Sequence, residues 1–196
     1  MSGMIKIRVP ATSANLGPGF DCMGLALDVW NEVTFEPAEK MTYLVSGEGA
    51  EKLNKGVKNL LTKAYALLYE ICDKPLANAS IQARNEILVS SGLGSSAAAI
   101  VAGLYGANEM LGKPLGNCDL LKIATEMEGH PDNVAPALLG GLVVSTMDHG
   151  KVFAHKINVG ANQHSLLHLT IVLPDFHLST RQARAVLPEQ VPVKDA

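Results

Sequence analysis

Near the start of the chain, apolar and polar positions alternate with a period of two. Ile5, Ile7 and Val9 interleave with Lys6 and Arg8, the pattern of a half-buried strand, and Pro10 is expected to end it. Leu25 to Glu36 is rich in β-formers (Leu27, Val29, Trp30, Val33, Phe35). It predicts a second strand, with Thr42 to Val45 as a short partner, antiparallel pairing between them and Trp30 in the core. The period then changes. Val57, Leu60, Leu61, Ala64, Leu67, Leu68 and Ile71 fall on one face of a helix whose first turn holds Asn59. Ser80 to Val89 reads as a strand. Ala97 to Leu111 reads as a helix smooth enough on several faces to lie buried against a sheet, with Gly112 and Pro114 stopping it. Leu120, Ile123, Ala124 and Met127 give Asp119 to Glu128 an inner face, a further helix. Asp148-His149-Gly150 links Leu142–Met147 to Val152–Ile157 as a hairpin. Leu166 to Leu173 reads as a strand and Thr180 to Leu187 as a helix. These last two have few partners within the sequence, so the chain is expected to stop inside a second domain.

Composition narrows the class. At 196 residues, 47% hydrophobic and 18% charged, the chain can build a sizeable core, and its composition does not indicate wholesale disorder. A net charge of −3 gives no electrostatic footprint for nucleic acid or an anionic membrane, which favours small-molecule partners. Cys22, Cys72 and Cys118 are odd in number, with no CxxC pair, and read as packed, reduced thiols of a cytosolic protein. The six histidines show no zinc spacing, so no structural metal is expected. No apolar run is long enough to cross a bilayer, and residues 1–20 lack the basic start and long apolar core of a signal peptide.

The candidate chemistry concentrates in Leu88-Val-Ser-Ser-Gly-Leu-Gly-Ser-Ser-Ala-Ala-Ala99, an extended segment, a tight loop and a helix start. Unpartnered N–H groups and the positive end of the macrodipole meet there. Gly92 and Gly94 admit close approach, and Ser95 and Ser96 supply hydroxyls, which together read as a phosphate cradle. A simple helix cap would not need so many glycines and serines in a row. The absence of lysine between Arg84 and Lys113 excludes a P-loop. Gly92-x-Gly94-x-x-Ala97 fits the dinucleotide fingerprint by letters, but no strand precedes Asp119 where the ribose-binding acid would stand. Two further stretches cluster polar groups among Gly and Pro. The first is a loop from Pro10 to Asp21 whose Asn15 and Asp21 suit a polar substrate. The second is Glu128-Gly-His-Pro-Asp-Asn-Val-Ala-Pro-Ala137, where a capped inter-helix turn would use Asp132 or Asn133 but leave Glu128 and His130 without a purpose.

Pro10-Ala-Thr-Ser-Ala-Asn-Leu-Gly-Pro-Gly-Phe-Asp21, Ser91-Gly-Leu-Gly-Ser-Ser-Ala97 and His130-Pro-Asp-Asn-Val-Ala-Pro-Ala137 followed by Gly140-Gly141 resemble, in this order, the homoserine kinase branch of the GHMP small-molecule kinase superfamily. The resemblance implies an α+β fold. Residues 1–163 would form an ATP-binding N-terminal domain like domain 2 of ribosomal protein S5, and residues 164–196 would begin an incomplete ferredoxin-like C-terminal domain. It implies ATP and Mg²⁺ as cofactors, L-homoserine as substrate, a cytoplasmic location, a homodimer, and no nucleic-acid or membrane partner. The nucleotide would be held by Ser90, Ser91, Gly92, Leu93, Gly94, Ser95, Ser96 and Ala97, with Asn59 near the nucleoside. Ser96 and Glu128 would hold the metal, with Glu126 as runner-up. Asn15, Asp21, His130, Asn133, Thr180 and Arg184 would contact homoserine, Asp21 taking its ammonium and Arg184 its carboxylate. Ser96, Glu128 and Asn133 would carry catalysis. An amide at Asn133 cannot accept a proton, so the mechanism would rest on alignment and charge stabilisation without a dedicated base, and Asp132 is expected in a capping or supporting role. The rival readings are a kinase for another small alcohol and a non-catalytic nucleotide- or RNA-binding domain. The missing basic patch counts against the second.

Overall fold

A computed structural model describes residues 3–55, 59–158, 169–172, 185–186 and 190. In chain order the described elements are β1 (Ile5–Ala14), β2 (Met23–Pro37), β3 (Thr42–Gly47), α1 (Ala50–Leu53), α2 (Leu60–Ile71), β4 (Ala79–Asn85), α3 (Ser95–Met110), α4 (Asn117–Glu128), α5 (Pro131–Leu139), β5 (Leu142–Asp148) and β6 (Lys151–Ile157). The strands form one sheet in which the long β2 bonds β1 along one edge. Its other edge bonds β4 through Glu32–Pro37 and β5 through Met23–Leu25. This mixed architecture is the expected α+β arrangement.

Helix α3 packs on β1 and β2, α5 on β1, β2 and β5, α2 on α3, and α4 on α3 and α5. The apolar face of β1 and β2 (Val9, Val33, Phe35) is therefore sealed, with Phe35 stacked at 5.7 Å on Tyr65 of α2. The small residues of α3 serve close approach: a Cβ on Gly103 would stand 2.2 Å from the Leu61 carbonyl, and one on Gly106 would meet the Phe35 ring. Lys6 and Arg8 lie at register positions alternate to Val9 and form ion pairs with Glu32.

Several sequence expectations change. Pro10 does not end β1, which continues to Ala14 through a register shift between Pro10 and Ala11; among the described residues β1 pairs only with β2, so a missing N–H is tolerated there. β3 pairs not with β2 but in parallel with β4, because the helical crossover returns the chain in the same direction. β4 stops at Asn85 rather than Val89. Trp30 is only half-buried: its indole N–H donates to Asp28 at 2.6 Å and the Arg8 guanidinium lies 4.9 Å from its ring, so it serves the polar face. Cys118 is exposed, not packed. Residues 131–139, to which the pattern assigned no element, form a helix started by Pro131, whose fixed φ and absent N–H suit a first helical position. Val57, the boundary at 163/164 and most of the two final expected elements lie outside the described residues; residues 169–172 are described and form no strand.

Candidate active site

Asn31 of β2 is buried, and its Oδ1 accepts the N–H groups of Glu86 (2.9 Å) and Ile87 (3.1 Å) as the chain leaves β4. This pins the entrance of the loop that follows. The loop turns through left-handed conformations at Ser90, Gly92 and Gly94 (φ 59°, 76° and 67°). The Ser91 hydroxyl donates to the Leu88 carbonyl at 2.8 Å, so it braces the loop. Thr12 of β1 donates its N–H to the Leu93 carbonyl at 3.0 Å. Helix α3 then starts at Ser95 with Gly94 as its N-cap and no side chain bonded to the first-turn N–H groups. A sixteen-residue helix thus presents its positive end and open donors beneath a glycine-lined bend, the physical requirement for holding a phosphate.

Ser96, one residue into α3, donates its hydroxyl to Glu128 Oε1 at 2.5 Å, bringing the last residue of α4 to the phosphate loop. Glu126 points elsewhere, exposed and 3.9 Å from Lys122. Among the described residues no group of three or more His, Cys, Asp or Glu could enclose a metal. One carboxylate and one hydroxyl, both hard oxygen donors, fit an ion that takes most of its ligands from phosphates and water, as Mg²⁺ does.

Gly129, with φ 98°, ends α4 and turns the chain into α5. His130 is the N-cap of α5, and its Nδ1 bonds Asp132 Oδ1. Asp132 is fully buried, and its Oδ2 has no hydrogen-bond partner among the described residues. The Asp132 bond raises the His130 pKa above the ordinary histidine value against the opposing effect of burial, helped by the charges of Asp132, Glu128 and Asp21. An imidazole flanked by three carboxylates suits a polar, charged substrate. Asn133 accepts the Thr12 hydroxyl on Oδ1 at 2.8 Å. Gly24 of β2 lets α5 come this close: a Cβ there would stand 1.9 Å from the Asp132 carbonyl. Asn15 and Asp21 both adopt positive φ (58° and 55°), and Asn15 Oδ1 accepts the Asp21 N–H at 2.8 Å.

The expected residues Ser90–Ala97, Glu128, His130, Asn133 and Asp21 are thus linked directly or through one neighbour into one region. Asn15 joins them through Asp21. Asn59 is the N-cap of α2: its Oδ1 accepts Thr62 N–H at 3.0 Å in a capping box, while its Nδ2 is buried without a hydrogen-bond partner among the described residues. That geometry makes it a cap of α2. Thr180 and Arg184 lie outside the described residues. Thr12 and Asn31 were not expected. Their roles depend on partners 121 and 55–56 residues away, which no local pattern announces.

Residues 59–141 match the family model described as GHMP kinases N terminal domain, a span that includes the phosphate loop, Glu128 and Asn133. A homoserine kinase of Carboxydothermus hydrogenoformans is 45% identical over 98% of this chain and 62% of its own length. One of Moorella thermoacetica is 42% identical over 98% of this chain and 64% of its own. The crystal structure of homoserine kinase from Cytophaga hutchinsonii superposes with a TM-score of 0.79 at 30% identity, covering 99% of this chain and 63% of that one. The chain therefore spans less than two thirds of the length of these relatives. Over residues 59–141 it matches the GHMP kinases N terminal domain, and over nearly its whole length it is similar to these homoserine kinases.

Proposed function

We propose that the protein transfers the γ-phosphoryl group of ATP to the hydroxyl of L-homoserine, giving O-phospho-L-homoserine, a step toward threonine. The observation that carries this reading is the Ser96–Glu128 pair at the open N-terminus of α3, with Asn133 tied to the same loop by two hydrogen bonds through Thr12. The nucleotide's phosphates would lie on the N–H groups of residues 94–97. Ser96 and Glu128 would hold Mg²⁺, which when bound offsets charge on the phosphates. Asp21 would take the substrate ammonium, and His130, fixed by Asp132, would hold another polar end of the amino acid. Thr180 and Arg184 are proposed to complete the substrate contacts, and residues 164–196 to begin a second domain.

In the transfer the bond from the terminal phosphorus to the bridging oxygen breaks, its electrons leave with ADP, and the homoserine oxygen bonds to phosphorus. The hydroxyl proton leaves on the transferred phosphoryl group and passes to water, since Asn133 has no basic atom to take it. The residues contribute by aligning the hydroxyl and by donating to the phosphoryl oxygens. The described helices include none long and apolar enough to cross a membrane. A cytoplasmic homodimer without a nucleic-acid partner is the assembly we propose. The test is ATP consumption by the purified chain with Mg²⁺ against a panel of small alcohols. Turnover on homoserine above all others supports the assignment, preference for another alcohol moves it to a sister activity, and no turnover on any alcohol overturns it.

A further inference from the structure

Asn31 alternates with Val33 and Phe35 along β2 and shares their buried face, a place that suits an apolar side chain; it is itself 5% exposed. A carboxamide there costs stability unless its polar atoms are bonded. The β2–β4 ladder ends at the pair Glu32 and Arg84. Just past that end, Asn31 Oδ1 takes two donors at once, the N–H groups of Glu86 at 2.9 Å and Ile87 at 3.1 Å. Both partners are N–H groups, so the side-chain atom between them is the carbonyl oxygen. The side chain thereby carries the pairing beyond the strand and sets the direction in which the chain leaves the sheet.

The far end of the loop has its own anchor, the Thr12 N–H on the Leu93 carbonyl at 3.0 Å. The left-handed turns at Ser90 and Gly92 lie between the two anchors. The exit anchor is a main-chain bond that almost any residue at position 12 supplies, whereas the entry anchor belongs to one side chain. We propose that Asn31 is a positioning residue for the nucleotide, holding the entry of the phosphate loop so that the loop N–H groups stand where the phosphates bind. The proposal rests on the phosphotransfer reading above. Asn31 acts through the main chain of residues 86 and 87, while Ser96 and Glu128 belong to α3 and α4, so its effect falls on nucleotide affinity.

The test compares Asn31→Leu, which suits the apolar face but has no acceptor, with Asn31→Asp, which presents an oxygen to both N–H groups in either protonation state. Calorimetric titration of the purified chain with MgADP is expected to give a dissociation constant raised about ten-fold or more in Asn31→Leu and less than about three-fold in Asn31→Asp. Amide hydrogen exchange at Glu86 and Ile87 should be fast in the leucine variant and slow in wild type and the aspartate variant. Wild-type affinity in Asn31→Leu, an aspartate variant as weak as the leucine one, or unprotected Glu86 and Ile87 amides in wild type would each overturn the proposal. If wild type itself binds no MgADP, the phosphotransfer reading falls and the proposal with it; if wild type binds and Asn31→Leu binds equally well, the proposal alone falls. Should Asn31→Leu not fold, wild type decides. Coupling between the anchor and the ligand is reciprocal, so saturating MgADP should slow exchange at Glu86 and Ile87 about ten-fold or more, and unchanged exchange overturns the proposal.

Discussion

Removing the hydroxyl of Ser96 or the carboxylate of Glu128 deletes an oxygen donor at the mouth of the phosphate loop, and each alone is expected to lower turnover by about a hundred-fold or more. Asp132→Ala acts on a fully buried side chain that bears on the proposed substrate site indirectly, through His130 and Asn133, and steady-state kinetics should show a far smaller loss. His130 itself carries a pH signature. Its pKa is raised in the folded protein by the Asp132 bond, so the stabilisation is complete below the unfolded value near 6.5 and is lost as pH rises through the higher folded value. Melting temperatures of wild type and His130→Gln, measured without magnesium or nucleotide between about pH 5.5 and 8.5, should therefore differ most at the acidic end and converge at the alkaline end.

Among the elements, the Gly94 N-cap joins loop geometry to packing, since it needs both φ 67° and the space a Cβ would take from Thr12. Gly94→Ala is expected to cost about 1–3 kcal/mol in urea denaturation, from backbone strain and overpacking together. What could be read from the sequence follows the range of the interactions involved. The face of α4 and the β5–β6 hairpin depend on neighbours three or four residues apart, or on the two residues His149 and Gly150 with φ 46° and 76°, and they stand as the periodicity and turn chemistry imply. On α2, Leu61, Ala64 and Leu68 are buried as expected, but Leu60 and Ile71 are exposed and Tyr65 and Tyr69 are buried instead. The phosphate loop was legible for the same reason: its glycines, serines and helix start are contiguous. β3 was assigned the wrong partner because its own residues do not encode pairing, which is decided by the crossover through α1 and α2. Pro10 misled because its effect depends on β1 having a free edge, a property of the sheet. Helix α5 hid behind its prolines and glycines, although Pro131 at a first helical position was the available signal.

For the whole molecule, the proposed nucleotide site joins β1, α3, α4 and α5 through the bonds of Thr12, Leu93, Ser96, Glu128 and Asn133. A ligand on the loop would therefore tie the whole helical layer to the sheet. MgATP at about one hundred times its dissociation constant should add about 2.7 kcal/mol to the unfolding free energy, read as a concentration-dependent rise in melting temperature, and Ser96→Ala should blunt that rise. The fifteen residues of β2 bond β1 on one edge and both β4 and β5 on the other, so every strand pair except the two outermost shares this one segment. The chain consequently divides well at some peptide bonds and badly at others. Two fragments made by cutting between His149 and Gly150 would each retain intact strands and should reassemble when mixed, whereas fragments cut within 26–31 should not.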